Sequence, residues 1–326
     1  MTGMIKAQEF QWLEEMEVRG VLDKEENTEI FIKRMGFEGE EEAYGLLSLY
    51  KNPEWRLLRD LRYVLQAGEI QVDLLLITQL GWLVFEVKNY DAEYRYVDGV
   101  WSVNGTVKMK DDFKQLKRML DIFAGVHRSC GSGGELSGKL LFINESDSVD
   151  IEGVDASLYL KRAKLKRFIQ GLSNECQHLF VDDSSMDYDA EWLLARSVED
   201  PRRKSLTQER YSKLKKGVYC DSCKSFNTKF QRYHLKCHEC GYSESSEKAI
   251  LRTICAYGVL FPFRALKTSE VLTLFGGQVK YVRVKTVLMK FFEYDSTTLL
   301  FKNPVNSYEY QFPQYKPYYR DKNVIK

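Results

Sequence analysis

Hydrophobic positions along the chain switch repeatedly between helical and strand periods. Ala43, Leu46, Leu47 and Tyr50 fall at i, i+3, i+4 and i+7, so a helix running from about residue 28 presents one apolar face. Residues 70–78 and 82–87 are apolar runs of strand length on either side of Gln79-Leu80-Gly81, a pattern that predicts a hairpin. Strand character also covers 55–58 and 63–65, and two short strands are expected about Asp98-Gly99 and Asn104-Gly105. Phe113, Leu116, Leu120 and Phe123 mark another helix, followed by a Gly/Ser loop at 129–138 and a buried strand at 139–144. Residues 158–172 read as a basic helix and 188–198 as a further one, while 1–27 form an acidic helical extension with Phe10, Leu13 and Met16 on its stripe. Strands and helices in this order predict an α/β domain over 28–199 with a mixed sheet flanked by helices.

After Asp200 the texture changes. Residues 200–216 read as a basic linker, 217–244 as a cysteine module, and 245–326 as helix, short helix opened by Thr268 or Ser269, Gly276-Gly277, longer basic helix (278–294) and strands about Asp295-Ser296. Of 326 residues 44% are hydrophobic, which excludes disorder as the main state. The net charge of +1 conceals an asymmetry: residues 1–200 carry 24 Lys/Arg against 37 Asp/Glu, and 201–326 carry 24 against 10. A basic carboxyl-terminal part of this kind points to nucleic acid. The most apolar stretch, 74–85, is broken by Thr78, Gln79 and Gly81 and falls short of the roughly 20 residues that a membrane span needs. The first thirty residues are acid-rich, so the expectation is a cytoplasmic protein without a membrane partner.

Candidate chemistry sits where charge interrupts the apolar pattern. Asp73 breaks a buried strand, and Glu86 and Lys88, two residues apart, project from one face of the next. Hairpin pairing can bring that face beside Asp73, so that two carboxylates and a lysine converge at the end of the sheet. Buried charge of this kind is costly unless it is paired or binds a cation, and oxygen ligands suit Mg²⁺ or Mn²⁺. The chemistry that needs such parts is metal-assisted phosphodiester hydrolysis.

Asp73 followed by Glu86-Val87-Lys88, with Glu40 on a preceding helix, resembles the PD-(D/E)XK nuclease superfamily, whose core is restriction-endonuclease-like. More closely, Gly36, Gly39 and Glu40 in MGFEGEEEAYGLL, then EIQVDLLLITQLGWLVFEVKNY, then Gly99, Trp101 and a helix with Gln115 resemble the nuclease-related domain, NERD, over about 30–145. The resemblance implies Asp73 and Glu86 as Mg²⁺ ligands, the Val87 carbonyl as a further ligand and Lys88 as the catalytic lysine. It also implies Glu40 as the helix acid and Gln115 as a positioning or phosphate-side residue. Glu38, Glu41 and Glu42 crowd Glu40; Glu40 follows the motif and Glu41 is the alternative. The bland alternative is a structural ion pair at a strand end.

Cys220-x2-Cys223 and Cys237-x2-Cys240, thirteen residues apart, have the spacing of two knuckles closing a tetrahedral Zn²⁺ site, and the module resembles a zinc ribbon. Such a site is structural, since four thiolates leave no position open. Cys130, Cys176 and Cys255 stand apart, and His234 and His238 are not needed as ligands. The final module has the element order of a winged helix-turn-helix. Lys280, Arg283, Lys285 and Lys290 on its longer helix are the candidate nucleic-acid contacts, with Val282, Val287, Leu288 and Phe291 directed inward. Phe301, Tyr308, Tyr310, Phe312, Tyr315, Tyr318 and Tyr319, with Lys302, Lys316 and Arg320, suit base stacking or packing. The combined expectation is a metal-dependent nuclease, with DNA favoured as substrate, whose tail binds nucleic acid. The alternative is a non-catalytic or trigger-dependent DNA-binding regulatory or defence protein that keeps the nuclease fold as a scaffold.

Overall fold

The structure is a computed structural model that describes residues 5–108, 110–146, 148–179 and 183–313. The chain forms two compact units, one of Ile32–Asp200 and the other of Ile5–Phe31 with the described residues from Pro201 onward. Helix α1 (Gln8–Val18) opens the chain, and α2 (Lys24–Tyr50) follows it.

In the first unit the hairpin pattern becomes β1 (Arg56–Leu65), β2 (Gly68–Thr78) and β3 (Gly81–Lys88). The segments 55–58 and 63–65 are one strand, and the polar break between them is Asp60, which holds a left-handed backbone (φ 48°) without ending the pairing. Next come β4 (Tyr94–Val97), β5 (Val100–Val103), β6 (Thr106–Lys108), α3 (Asp112–Cys130), β7 (Glu135–Phe142), β8 (Val149–Ile151), β9 (Tyr159–Lys161), α4 (Arg162–Cys176) and α5 (Asp183–Arg196). Part of the Gly/Ser segment expected as loop thus belongs to β7. The front of the expected basic helix is the edge strand β9, because Tyr159, Leu160 and Lys161 pair in parallel with Leu140, Leu141 and Phe142.

The main sheet has the order β1-β2-β3-β7-β9. The first three strands are antiparallel and the last two run parallel to β3, so the sheet is mixed. Helix α3, capped by the Asp111 carboxylate on the Phe113 and Lys114 amides, packs Phe123 on Trp82 of one face. Helix α4 packs Phe168 on Phe85 of the other. A smaller sheet, β6-β5-β4-β8, folds around buried Trp101, which stacks on Phe113. Gly81 adopts φ +128°, and a Cβ there would lie 2.2 Å from the Glu135 carbonyl oxygen, so the β2–β3 turn needs glycine to let β7 approach.

The second unit contains α1, α6 (Gln208–Lys213), β10 (Thr228–Phe230), β11 (His234–Cys237), β12 (Ser243–Ser245), α7 (Ser246–Leu260), α8 (Thr268–Leu274), α9 (Tyr281–Phe291), β13 (Tyr294–Asp295), β14 (Leu300–Phe301) and α10 (Tyr308–Gln311). Helix α7 is buried along nearly its whole length and packs against α1, whose Phe10, Leu13 and Met16 are buried. Residues 201–216 hold α6 and bury Leu206, Tyr211 and Leu214. Helix α9 is shorter than 278–294, and its inward residues are Val284, Val287 and Leu288, whereas Val282 is 70% exposed because it lies outside the i, i+3, i+4 stripe. Tyr308 and Tyr310 lie on α10. Tyr315, Lys316, Tyr318, Tyr319 and Arg320 lie outside the described residues.

Candidate active site and cysteine cluster

Antiparallel register sets Leu74 opposite Phe85, and one step further along it Asp73 faces Glu86. Ladder pairing of β2 and β3 ends there, and the Val87 amide donates instead to Asp73 Oδ2 at 2.9 Å. Strand geometry directs the Val87 carbonyl to that same edge. Lys88, on the face of Glu86, donates to Glu86 Oε1 at 2.8 Å, and Gln115 Nε2 of α3 donates to the same oxygen at 2.6 Å. The Gln115 Oε1 atom is buried without a hydrogen-bond partner.

Helix α2 supplies the remaining acid. Glu41 bonds Arg59 at 2.7 Å and Glu42 pairs with Arg162, while Glu40 faces the Glu86 and Asp73 carboxylates. The close approach needs Gly39: a Cβ there would lie 2.5 Å from Asn89 Cβ, just past the end of β3. Asn89 in turn donates to the Met35 carbonyl at 2.9 Å and accepts from Asn144 at 2.9 Å, fastening helix to strand end.

The electrostatics follow from crowding. Burial first, then the Asp60 and Glu86 carboxylates, push Glu40 up to about 7. Burial, Glu86 and Glu40 hold Asp73 well above the usual carboxylate range. Burial works against the Lys88 charge, but Glu86 and Asp112 outweigh it and keep the ammonium above its ordinary range. Three carboxylates thus surround one ammonium, an excess of negative charge that fits a divalent cation held by oxygen ligands. The unpartnered Gln115 oxygen adds an acceptor beside the same acids.

Two further acids reach the cluster that pattern reading did not single out. Asp112, 2% exposed, lies with Oδ1 3.7 Å from Lys88 Nζ, while its Oδ2 accepts from Tyr90 Oη (2.6 Å) and Lys108 Nζ (2.8 Å). Asp60 accepts from Gln71 at 3.0 Å and adds its charge to that acting on Glu40. Asp112 reads in the sequence as a routine acid in a first helical turn, and Asp60 as a strand break; only their positions opposite Lys88 and Glu40 reveal them.

In the second unit the four cysteine sulfurs converge with all ligand atoms within 4.8 Å of one another, an arrangement compatible with a zinc ribbon. Cys220 and Cys240 Sγ lie 3.6 Å apart, as do Cys223 and Cys237. Backbone amides of the knuckles aim at the sulfurs: those of Cys240 and Glu239 bring Cys237 down to about 7. At Cys220 burial dominates and pushes the thiol up to about 12 against the Cys223 and Ser222 amides. A Cys₄ zinc site holds its cysteines as thiolates, and amide donors aimed at the sulfurs favour that form. Lys280 and Lys285 of the α9 region are exposed, Arg283 lies over the Phe230 ring, and Lys290 bonds Glu247 through both carboxylate oxygens at 2.9 and 2.8 Å. Among the described residues no helix is long and apolar enough to cross a membrane.

No curated protein and no solved structure matches the chain. Residues 35–142, the segment that carries Glu40, Asp73, Glu86, Lys88 and Gln115, match NERD, the nuclease-related domain.

Proposed function

We propose that the first unit is a divalent-cation-dependent nuclease and that the second is a zinc-stabilised module that binds nucleic acid, DNA above all. The observation that carries the reading is the Asp73–Glu86–Lys88 group where β2 and β3 stop pairing, inside the NERD match and facing Glu40. Asp73, Glu86 and the Val87 carbonyl would hold Mg²⁺ or Mn²⁺, assisted by Glu40 of α2. When bound, that ion supplies Lewis-acid polarisation of the phosphoryl group and a more acidic water.

The chain's own groups do the rest. The Val87 amide fixes which Asp73 oxygen is free, and Gln115 fixes the Glu86 carboxylate by its 2.6 Å bond. Lys88 is a charged donor beside the scissile phosphate, where it orients the attacking water and stabilises charge that develops on the phosphoryl oxygens. Asp112 holds Lys88 from behind. Water adds to phosphorus, one P–O ester bond breaks, and the products are one phosphate end and one hydroxyl end. Cys220, Cys223, Cys237 and Cys240 would hold Zn²⁺ in a closed structural site, and exposed Lys280 and Lys285, with Arg283, would meet phosphates.

The test is cleavage of linear, supercoiled and single-stranded DNA and of RNA, with Mg²⁺, Mn²⁺ or EDTA. The expected result is cation-dependent cleavage that Lys88→Ala removes. If every substrate survives, or Lys88→Ala cuts as well as the parent, the nuclease reading is wrong.

A further inference from the structure

Helix α4 carries an uncommitted basic pair, whereas several cations nearer the acid cluster are paired. Arg59, Arg62, Lys88, Lys108 and Arg162 each pair with a carboxylate. Lys164 and Arg167 are exposed and pair with no acid among the described residues. Spaced at i and i+3, they stand on one side of the helix.

Those two cations rim a groove of about 480 Å³ whose floor is Leu160, Phe168, Gly171 and Leu172. Glu175 closes the far end, so the cationic half faces the start of the helix. That start leads to the acid cluster by a short hydrogen-bonded route. The Lys88 carbonyl accepts from the Ile143 amide at 3.0 Å, the Ile143 carbonyl accepts from Arg162 Nη1 at 3.2 Å, and Arg162 pairs with Glu42, two residues beyond Glu40. At 1.5 Å per residue, Lys164 and Arg167 lie about 3 and 7.5 Å farther along the α4 axis than Arg162.

A floor of apolar and aromatic side chains with two unpaired cations on one rim matches a polymer that offers flat apolar faces and regularly spaced negative charge. Duplex DNA hides its bases from such a floor, and an acidic peptide has little to lay on it. We propose that this groove binds one single strand of nucleic acid, with phosphates on Lys164 and Arg167 and a sugar or base against Phe168 and Leu172. The inference rests on the nuclease reading, since it assigns this surface to the substrate strand, on the face of the main sheet opposite the one that carries the Glu86 and Lys88 side chains.

The test uses the full-length chain with Lys280→Glu and Lys285→Glu, which removes the exposed cations of the α9 region that pair with no acid among the described residues, and a fluorescent 20-nucleotide DNA or RNA without added Mg²⁺ or Mn²⁺. Lys164→Glu with Arg167→Glu should weaken single-strand binding at least tenfold. It should also flatten the dependence of log affinity on log salt by about 1.4, at roughly 0.7 for each phosphate no longer neutralised. Gly171→Phe fills the groove where an added Cβ meets nothing within 4 Å, so the helix tolerates it, and it should weaken binding tenfold with little change in salt slope. Binding unchanged in both variants overturns the proposal, as does loss of poly-glutamate binding with oligonucleotide binding intact. If the variants lose the strand but no cation supports cleavage by the parent, the groove stands and the nuclease reading falls. If the parent cuts in a Lys88-dependent way and both groove variants bind and cut like it, the groove alone falls.

Discussion

At the scale of single residues, the acid cluster is a balance in which each side chain restrains another. Lys88 answers to Glu86 and Asp112 together, and Asp112 also holds Lys108 and Tyr90 with its second oxygen. Asp112→Asn keeps the shape but removes the charge that both lysines face. The expected cost is about 1–3 kcal/mol of stability, read from urea unfolding, together with slower cleavage; unchanged values in both would show that the pairings are incidental. Asp73, Glu86 and Lys88 were legible from the chain because alternation in two strands and a short turn leave little freedom in where such residues point. Asp60, Asp112 and Lys108 were not, since each comes from an element whose place relative to the end of β3 depends on tertiary packing. Glu40 lay between these cases. The motif pointed to it, and what separates it from its neighbours is that Arg59 and Arg162 hold Glu41 and Glu42.

At the scale of elements, the approach of α2 to the end of β3 decides whether Glu40 can reach the strands at all. Gly36 and Gly39 lie on the same helix and make opposite predictions. Gly39→Ala sets a methyl 2.5 Å from Asn89 Cβ, so the helix must shift; the protein should lose about 1–3 kcal/mol and most of its cleavage. Gly36→Ala meets nothing within 4 Å and should raise stability by about 0.5–1 kcal/mol with activity kept. Equal effects at the two positions, in paired thermal melts and cleavage assays, would remove the close-approach argument. The sequence pattern anticipated the β2–β3 hairpin and the helix with Phe113 and Phe123, whose periodicity is undiluted. It missed β9, because three residues at a sheet edge are too few to show a period and the basic run behind them reads as one helix.

At the scale of the molecule, the two units make separable stability predictions. Within the second, Arg210 bonds both oxygens of Glu26 at 2.7 Å and holds that carboxyl below its ordinary range. A lowered carboxylate contributes stability above its unfolded value and loses it as pH falls through the folded one. Glu26→Gln should therefore destabilise by about 1 kcal/mol at pH 7 and by much less at pH 3. Chemical denaturation at the two pH values is the check, and an equal effect at both would refute the pairing. Stripping zinc at constant Mg²⁺ should lower the thermal transition of the second unit and leave that of the first in place, as followed by calorimetry. A single transition, unmoved by the chelator, would argue against a structural zinc. The opposed charges of the chain's two parts, acidic before residue 200 and basic after it, are on this reading a division between cation binding and phosphate binding.

The arrangement of the four thiols has a practical corollary. Each knuckle contributes one buried and one exposed sulfur, and the near neighbours, Cys220 with Cys240 and Cys223 with Cys237, come from different knuckles. A metal-stripped sample handled in air is therefore primed to oxidise across the knuckles, with dioxygen as oxidant. A chain cross-linked in that way would refuse zinc afterwards and could be mistaken for one that never bound it. Metal analysis of this protein should begin with reductant present and a thiol count alongside.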